Sequence, residues 1–207
     1  MKPRDPLPAR AHTLPAKYYT DRDVYDREQE LFFRGMWVCV GRLGELSDRG
    51  SFVARHVAGD SIFIVRTNGP GEPDAVKAFQ NVCRHRGTQL CRDEHGRFQG
   101  SIQCEYHAWT YGLDGQLLGG PHMDGTAGFR KGDHSLLEVR AGLWEGFIFI
   151  CLADSGPTLE QQLDDLPFKF RPWRMHELRR GDGMTYDIAT NWKLIIQNFS
   201  ECLHCPN

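Results

Sequence analysis

Four residues in two short segments carry the strongest chemical signal: Cys83-Arg-His85-Arg-Gly87 and, with eighteen residues between His85 and it, Cys104-Glu-Tyr-His107. Two thiolates and two imidazoles suit iron or zinc. A zinc finger of the same composition usually pairs Cys with Cys and His with His, on a hairpin and a helix. Here each segment supplies one cysteine and one histidine, and both lie in sequence with strand character. A second constellation lies further on, where Asn198, Glu201 and His204 are spaced so that neighbouring members share a helical face. Glu-x-x-His pairs serve helical non-haem iron carboxylate sites, but the same spacing also occurs on ordinary solvated helix faces. Cys202 and Cys205 flank His204 and read as incidental thiols, since Cys202 points away from His204 on a helix.

From Trp37 to about Leu152 the chain shows short apolar or alternating runs: WVCVG, SFVARHV, SIFIVRT, VKAFQNV, SIQC, HAWTYGL and GFIFICL. Turn signals such as Asn68-Gly69 and Asp114-Gly115 fall between them, which predicts a small antiparallel β domain. Ahead of it, Thr20 and Asp23 read as an N-cap signal for a helix through DRDVYDREQELFFRGMW. Val24, Leu31 and Phe32 would share one face, and the helix would end near Gly35. Residues 1 to 17, rich in proline and basic side chains, read as wrapping a surface or loosely held. Beyond Asp154, PTLEQQLDDL reads as helical, Pro167 to Arg174 as a connector and Thr185 to Ala189 as a strand. A last helix begins near Asn191, with Trp192, Ile195, Ile196, Phe199 and Leu203 as its apolar face. So broad a face calls for cover from later sequence.

The formal charge of −2 is spread along the chain without a basic or acidic run, which argues against nucleic-acid binding and adhesion to anionic membranes. Apolar stretches such as Gly146 to Leu152 are too short to span a bilayer, and the N-terminus lacks the apolar core of a secretory signal. A cytoplasmic location follows by default. In a reducing compartment the seven cysteines, an odd number, read as free thiols or metal ligands rather than as a disulfide framework.

The two loops resemble the Rieske family pattern, C-x-H…C-x-x-H, in which two thiolates hold one iron of a 2Fe–2S cluster and two imidazoles hold the other. Gly87 fits a tight loop beside such a cluster, and Trp109 follows the second loop as in the family's C-P-Y-H-x-W. Glu105 departs from it, standing where proline is usual. The resemblance implies that Cys83, His85, Cys104 and His107 ligate the cluster, with a potential within roughly −150 to +300 mV. Respiratory and photosynthetic Rieske subunits carry an extra cysteine in each loop and a membrane anchor; Thr88 and Tyr106 occupy those positions here.

NWKLIIQNFSECLHCPN resembles the segment entering the catalytic domain of Rieske oxygenase α subunits, N-W-K…N-x-x-[DE]-x-x-H-x(4)-H. The likeness extends through the YYTD…F helix, the WVCVGR strand, the cluster loops and the WEGFIFICL strand. It implies an α+β architecture: a helical segment over 1–36 packing on the catalytic domain, an antiparallel β Rieske domain with a cluster-binding subdomain over 37–155, and the start of an α/β helix-grip catalytic domain over 156–207. It further implies that His204 ligates a mononuclear Fe(II), with a second histidine about two residues past Asn207 and a carboxylate further on, so that the iron site is incomplete within these residues. Glu201 aligns with the acidic residue that bridges to the Rieske histidine of a neighbouring subunit, His107 here. A carboxylate shared by two imidazoles fixes both and couples the two sites.

The activity so implied is that of an oxidoreductase, a mono- or dioxygenase that hydroxylates or oxidatively demethylates a small organic substrate with O2. Its electrons come from an NAD(P)H-dependent reductase, directly or through a ferredoxin, and the assembly is a homotrimer. Glu201 in place of the usual Asp, in E-C-x-H-C-P surroundings, looks like the branch that oxidises quaternary amines such as carnitine or glycine betaine. The alternative is a Rieske ferredoxin-type carrier without oxygenase activity. A carrier needs only the β domain, so the flanking helices speak against it.

Overall fold

The computed structural model describes residues 12–69, 72–73, 75–123 and 125–200. The described residues fall into two compact units, one within 30–180 and a smaller one combining 12–29 with 181–200. The strands are β1 (Val38–Arg42), β2 (Ser51–Val57), β3 (Asp60–Arg66), β4 (Val76–Gln80), β5 (His95–Arg97), β6 (Ser101–Gln103), β7 (Thr110–Gly112), β8 (Leu117–Gly119), β9 (Glu138–Trp144) and β10 (Phe147–Cys151). The helices are α1 (Lys17–Thr20), α2 (Arg22–Glu28), α3 (Leu159–Leu163), α4 (Leu166–Phe170) and α5 (Trp192–Ser200), with a π-helical stretch at Gln29–Arg34.

In the larger unit seven strands form one antiparallel sheet, ordered β1-β10-β9-β4-β3-β2-β5, and β6-β7-β8 form a separate meander. Strand β3 shows why the sheet has an apolar core on each face. Successive side chains of a strand point to opposite faces. Phe63 and Val65 therefore join one core, with Phe52, Phe79, Trp109, Tyr111 and the thiols of Cys83 and Cys104. Ile62 and Ile64 join the other, with Val53, Val139, Ile148 and Ile150. Each fully buried side chain of this size stabilises the fold by about 1.5–3 kcal/mol. The first core lies under the two candidate loops, so the apolar packing and the chemistry share one layer.

Two hairpins turn through a residue pair with both φ angles positive: Ala58 (49°) and Gly59 (85°) between β2 and β3, and Glu145 (48°) and Gly146 (78°) between β9 and β10. These primed turns match the twist of the strands, and glycine at the second position removes the Cβ clash. Asn68-Gly69 and Asp114-Gly115 also turn the chain. Asn68 Nδ2 donates to the Pro73 carbonyl at 2.9 Å, and Gly115 N–H donates to that of Gly112 at 3.0 Å.

Several local expectations differ from the structure. The sequence runs omit β9, which joins the two halves of the sheet by pairing with β4 and β10. Its sequence, EVRAGLW, mixes charge and glycine into the run, and Arg140 spreads its guanidinium over the Trp37 ring and the Gly156 and Pro157 carbonyls. Thr185 to Ala189 forms no strand: among the described residues nothing pairs with it, and Tyr186 and Ile188 are exposed. Pro167 to Arg174 is not a plain connector but winds as α4 and a 3-10 turn at Arg171–Trp173. Pro167 sits in the first helical turn, where a missing N–H costs nothing. The helical reading of PTLEQQLDDL corresponds to α3, whose cap Thr158 accepts from Gln161 N–H while Gln161 Oε1 accepts from Thr158 N–H.

In the smaller unit α2 is capped by Asp21 rather than Thr20: its Oδ1 accepts from the N–H groups of Asp23 (2.9 Å) and Val24 (3.3 Å). Asn191 plays the same part at α5 through Lys193 N–H at 3.0 Å. Between the helices lies a buried charge cluster. Glu28 accepts from Lys193 Nζ at 2.7 and 2.6 Å and from Trp192 Nε1 at 3.0 Å, and Tyr19 exchanges hydrogen bonds with Gln197. Among the described residues no helix is long and apolar enough to cross a membrane, and cysteines 39, 83, 91, 104 and 151 are free thiols.

Candidate metal centre

The first loop follows β4 and the second joins β6 to β7. Their backbones follow one design. Cys83 N–H donates to the Thr88 carbonyl at 2.7 Å and Cys104 N–H to that of Trp109 at 2.8 Å, five residues on in both cases. Gly87 N–H returns to the Cys83 carbonyl and Ala108 N–H to the Cys104 carbonyl, both at 3.0 Å. The fourth residue after each cysteine is left-handed, Gly87 with φ 73° and Ala108 with φ 55°. Each loop thus wraps one turn around its cysteine, and its histidine, two or three residues on, meets the ring of the other loop's histidine. Glu105, the departure from proline, leaves that turn intact and meets Arg92 in an exposed ion pair at 3.5 Å.

Ala108 bears the cost of this shape, because a left-handed conformation costs an L-residue about 1–2 kcal/mol. Ala108→Gly removes that strain but restores backbone entropy to the unfolded chain, worth about 0.4–1 kcal/mol. The net expectation is a gain of roughly 0.5–1 kcal/mol, read as a raised urea midpoint; a lowered midpoint would contradict it.

The four donors stand as two pairs. Cys83 and Cys104 are both 2% exposed, while His85 and His107 are half-buried, with ring centroids 4.7 Å apart. Burial first, with the neighbouring Cys104 adding to it, raises the Cys83 thiol above the ordinary cysteine range, opposed by hydrogen bonds from Tyr111 and the loop backbone. Desolvation, then His107 and Arg86, lowers His85 below the ordinary imidazole range and favours the neutral ring that binds metal. His107 Nδ1 is buried without a hydrogen-bond partner. A buried ring nitrogen normally finds one, and here the ring lies beside that of His85. Among the described residues no three such donors gather as a single metal ion would need. A thiol pair inside and an imidazole pair outside match a two-iron cluster, in which each iron takes two protein ligands.

Two further side chains shape the centre. Tyr111 Oη accepts from Arg84 N–H at 3.1 Å, which leaves its own proton for Cys83 Sγ at 3.2 Å. Trp109 stacks on His85, with centroids 4.9 Å apart and planes 9° from parallel. Trp109 is marked by the loop pattern, whereas Tyr111 lies outside it. The alternation in HAWTYGL gives it away, since residues 109 and 111 share a strand face. Glu201 and His204, with Cys202 and Cys205, lie outside the described residues.

Residues 36–130 match the Rieske [2Fe-2S] domain, and residues 175–207 match the catalytic domain of the ring hydroxylating alpha subunit. The carnitine monooxygenase oxygenase subunit of Escherichia coli is 36% identical over 200 residues, covering 96% of this chain and 52% of that protein. The glycine betaine monooxygenase oxygenase subunit of Pseudomonas aeruginosa is 34% identical, covering 97% and 46%. The crystal structure of the apo form of the quaternary ammonium Rieske monooxygenase CntA superposes with a TM-score of 0.84 at 31% identity, over 93% of this chain and 55% of that one. The chain spans about half the length of the curated relatives it matches. Both loops fall inside the 2Fe–2S match, and the segment holding α5 falls inside the catalytic-domain match. With the α+β fold, a match to the Rieske [2Fe-2S] domain and a match to the opening of a ring-hydroxylating catalytic domain in one polypeptide, the chain is similar to the N-terminal portion of Rieske oxygenase α subunits.

Proposed function

We propose that Cys83, His85, Cys104 and His107 hold a 2Fe–2S cluster, and that the full-length protein is the α subunit of a Rieske oxygenase acting on a quaternary amine. The observation that carries the first part is the paired arrangement of donors, with the unpartnered Nδ1 of His107 among them. The amine class rests on the Glu201 surroundings and on the carnitine and glycine betaine relatives. When bound, the cluster supplies one electron at a time, and a mononuclear Fe(II) supplies the O2 chemistry of hydroxylation or oxidative demethylation.

The chain's own residues divide the remaining work. Residues 37–155 form the Rieske domain, 156–207 begin the catalytic domain, and 1–36 pack on the latter. The buried thiols keep water from one end of the site, and the half-buried imidazoles leave the other end open to a partner. Glu201 holds the ring of His107 in the neighbouring subunit, and His204 is the first iron-binding histidine. The working assembly is a cytoplasmic homotrimer fed by an NAD(P)H-dependent reductase, directly or through a ferredoxin.

Anaerobic reconstitution of the chain with iron and sulfide tests the cluster reading. About two irons and two labile sulfides per chain are expected, with visible absorbance and a reduced-state paramagnetic signal. Stoichiometric zinc without sulfide would sink it. The full-length protein with its reductase should couple NAD(P)H oxidation to a quaternary amine and not to an aromatic hydrocarbon; the reverse preference would move the substrate class to aromatic rings.

Tyr111→Phe gives a finer check. Losing one hydrogen bond to Cys83 sulfur destabilises the more negative, reduced state. The midpoint potential should fall by on the order of 50 mV, close to the roughly 1 kcal/mol that one such bond makes in a one-electron couple. An unchanged potential in protein-film voltammetry would show that Tyr111 does not donate to that sulfur.

A further inference from the structure

The two loops share an internal design but differ at their bases. The second is closed by a ladder, because β6 and β7 pair directly and Gln103 faces Thr110 where the loop begins and ends. The first has no such ladder. Strand β4 before it pairs with β3 and β9, while β5 after it pairs with β2. Its ends must be held by something else.

Asn81 fills that place. It follows β4, two residues before Cys83, and is 5% exposed. Its Oδ1 accepts from the N–H groups of Leu90 (3.1 Å) and Cys91 (2.8 Å). Its Nδ2 donates to the Cys91 carbonyl (2.8 Å) and to Ser61 Oγ (3.2 Å), and its backbone N–H donates to the Ser61 carbonyl (2.9 Å). Both acceptor sites and both donors of the amide are therefore used. None of these bonds touches a cluster donor. They tie the entry of the first loop to its exit and both to β3.

We propose that Asn81 is the positioning residue of the first cluster loop: it replaces the missing ladder, and so presents Cys83 and His85 to Cys104 and His107 before the cluster arrives. The inference rests on the reading that these four residues hold the cluster. Without the side chain, the buried N–H groups of Leu90 and Cys91 lose their acceptor together, and the loop opens more often than the sheet beneath it. The Cys91 carbonyl keeps a second donor, Gln89 Nε2 at 2.8 Å, so the acceptor oxygen of Asn81 matters most.

The test compares Asn81→Ala, Asn81→Asp and Val53→Ala in the reconstituted chain. Val53 is fully buried in the other core and serves as a control for lost stability. The readouts are anaerobic transfer of iron to a chelator, the midpoint potential, and the unfolding midpoint of the cluster-free chain. Asn81→Ala is expected to lose iron on the order of 100-fold faster and to shift the potential, because two buried donors go unsatisfied at once. Asn81→Asp keeps the acceptor for Leu90 and Cys91 but sets a second oxygen against the Cys91 carbonyl, so its retention should fall between the parent and Asn81→Ala. Val53→Ala should lower the unfolding midpoint yet hold iron as the parent does. An Asn81→Ala chain that keeps parental retention and potential, or loses iron no faster than Val53→Ala, overturns the proposal while leaving the cluster reading intact. A parent chain that takes up no cluster overturns both.

Discussion

A Cys104→Ala chain should fold and yet retain no 2Fe–2S cluster. Cys104 lies 2% exposed beside Cys83, at the centre of a loop whose turn is fixed by backbone hydrogen bonds. Removing its sulfur deletes one ligand without touching those bonds, and the small cavity left in the core costs on the order of 1 kcal/mol. Far-ultraviolet dichroism should stay close to the parent's, while visible absorbance and the paramagnetic signal vanish. Cys91→Ala is the matched control. Cys91 is equally buried in the same core, and burial pushes its thiol up to about 12, the state of an inert structural cysteine. It should load iron and sulfide as the parent does. A Cys104→Ala chain with the parental spectrum, or a colourless Cys91→Ala chain, would overthrow the ligand assignment.

The second large effect concerns the helical unit. Glu28→Ala leaves the Lys193 ammonium without its carboxylate in a place where both side chains are nearly buried, at 10% and 12% exposure. Breaking one partner of such a pair costs about 3–5 kcal/mol, because an uncompensated charge remains. Trp192 Nε1 loses its acceptor as well. Hydrogen exchange over residues 17–29 and 191–200 should accelerate accordingly. Replacing both partners, Glu28→Met with Lys193→Met, removes the stranded charge and should restore most of the protection. Equal loss in the single and double variants would show that packing rather than charge pairing holds these helices.

What could be read from the residues follows a physical divide. The donors were legible because metal binding fixes residue types at short spacing, and β2, β3 and β10 because half or wholly buried strands leave an alternating or continuous apolar record. Strand β9 left none, since Arg140 and Gly142 serve contacts outside the ladder. Thr185 to Ala189 has strand-like composition, but a strand exists only where a neighbour pairs with it. Ala108 was hidden for the opposite reason. Its left-handed backbone is imposed by the turn around Cys104, against its own preference. Asn81 acts through bonds to distant backbone, which have no sequence period, whereas the alternation in HAWTYGL marks Tyr111 as buried but not its bond to Cys83 sulfur. The Asp21 cap is a milder case: the single signal formed by Thr20 and Asp23 brackets the residue that does the capping.

The strand order also sets a timetable. Among the described residues β1 pairs only with β10, made more than a hundred residues further on, since Val38 faces Ile150, and the second edge of β4 waits for Val139 of β9. Contacts so far apart in sequence form late, because the intervening chain must be closed first. The β2-β3-β4 run and the β6-β7-β8 meander need no such wait, as each strand pairs with the next. During synthesis both cysteine loops can therefore be shaped while the sheet is still open at its β1–β10 edge.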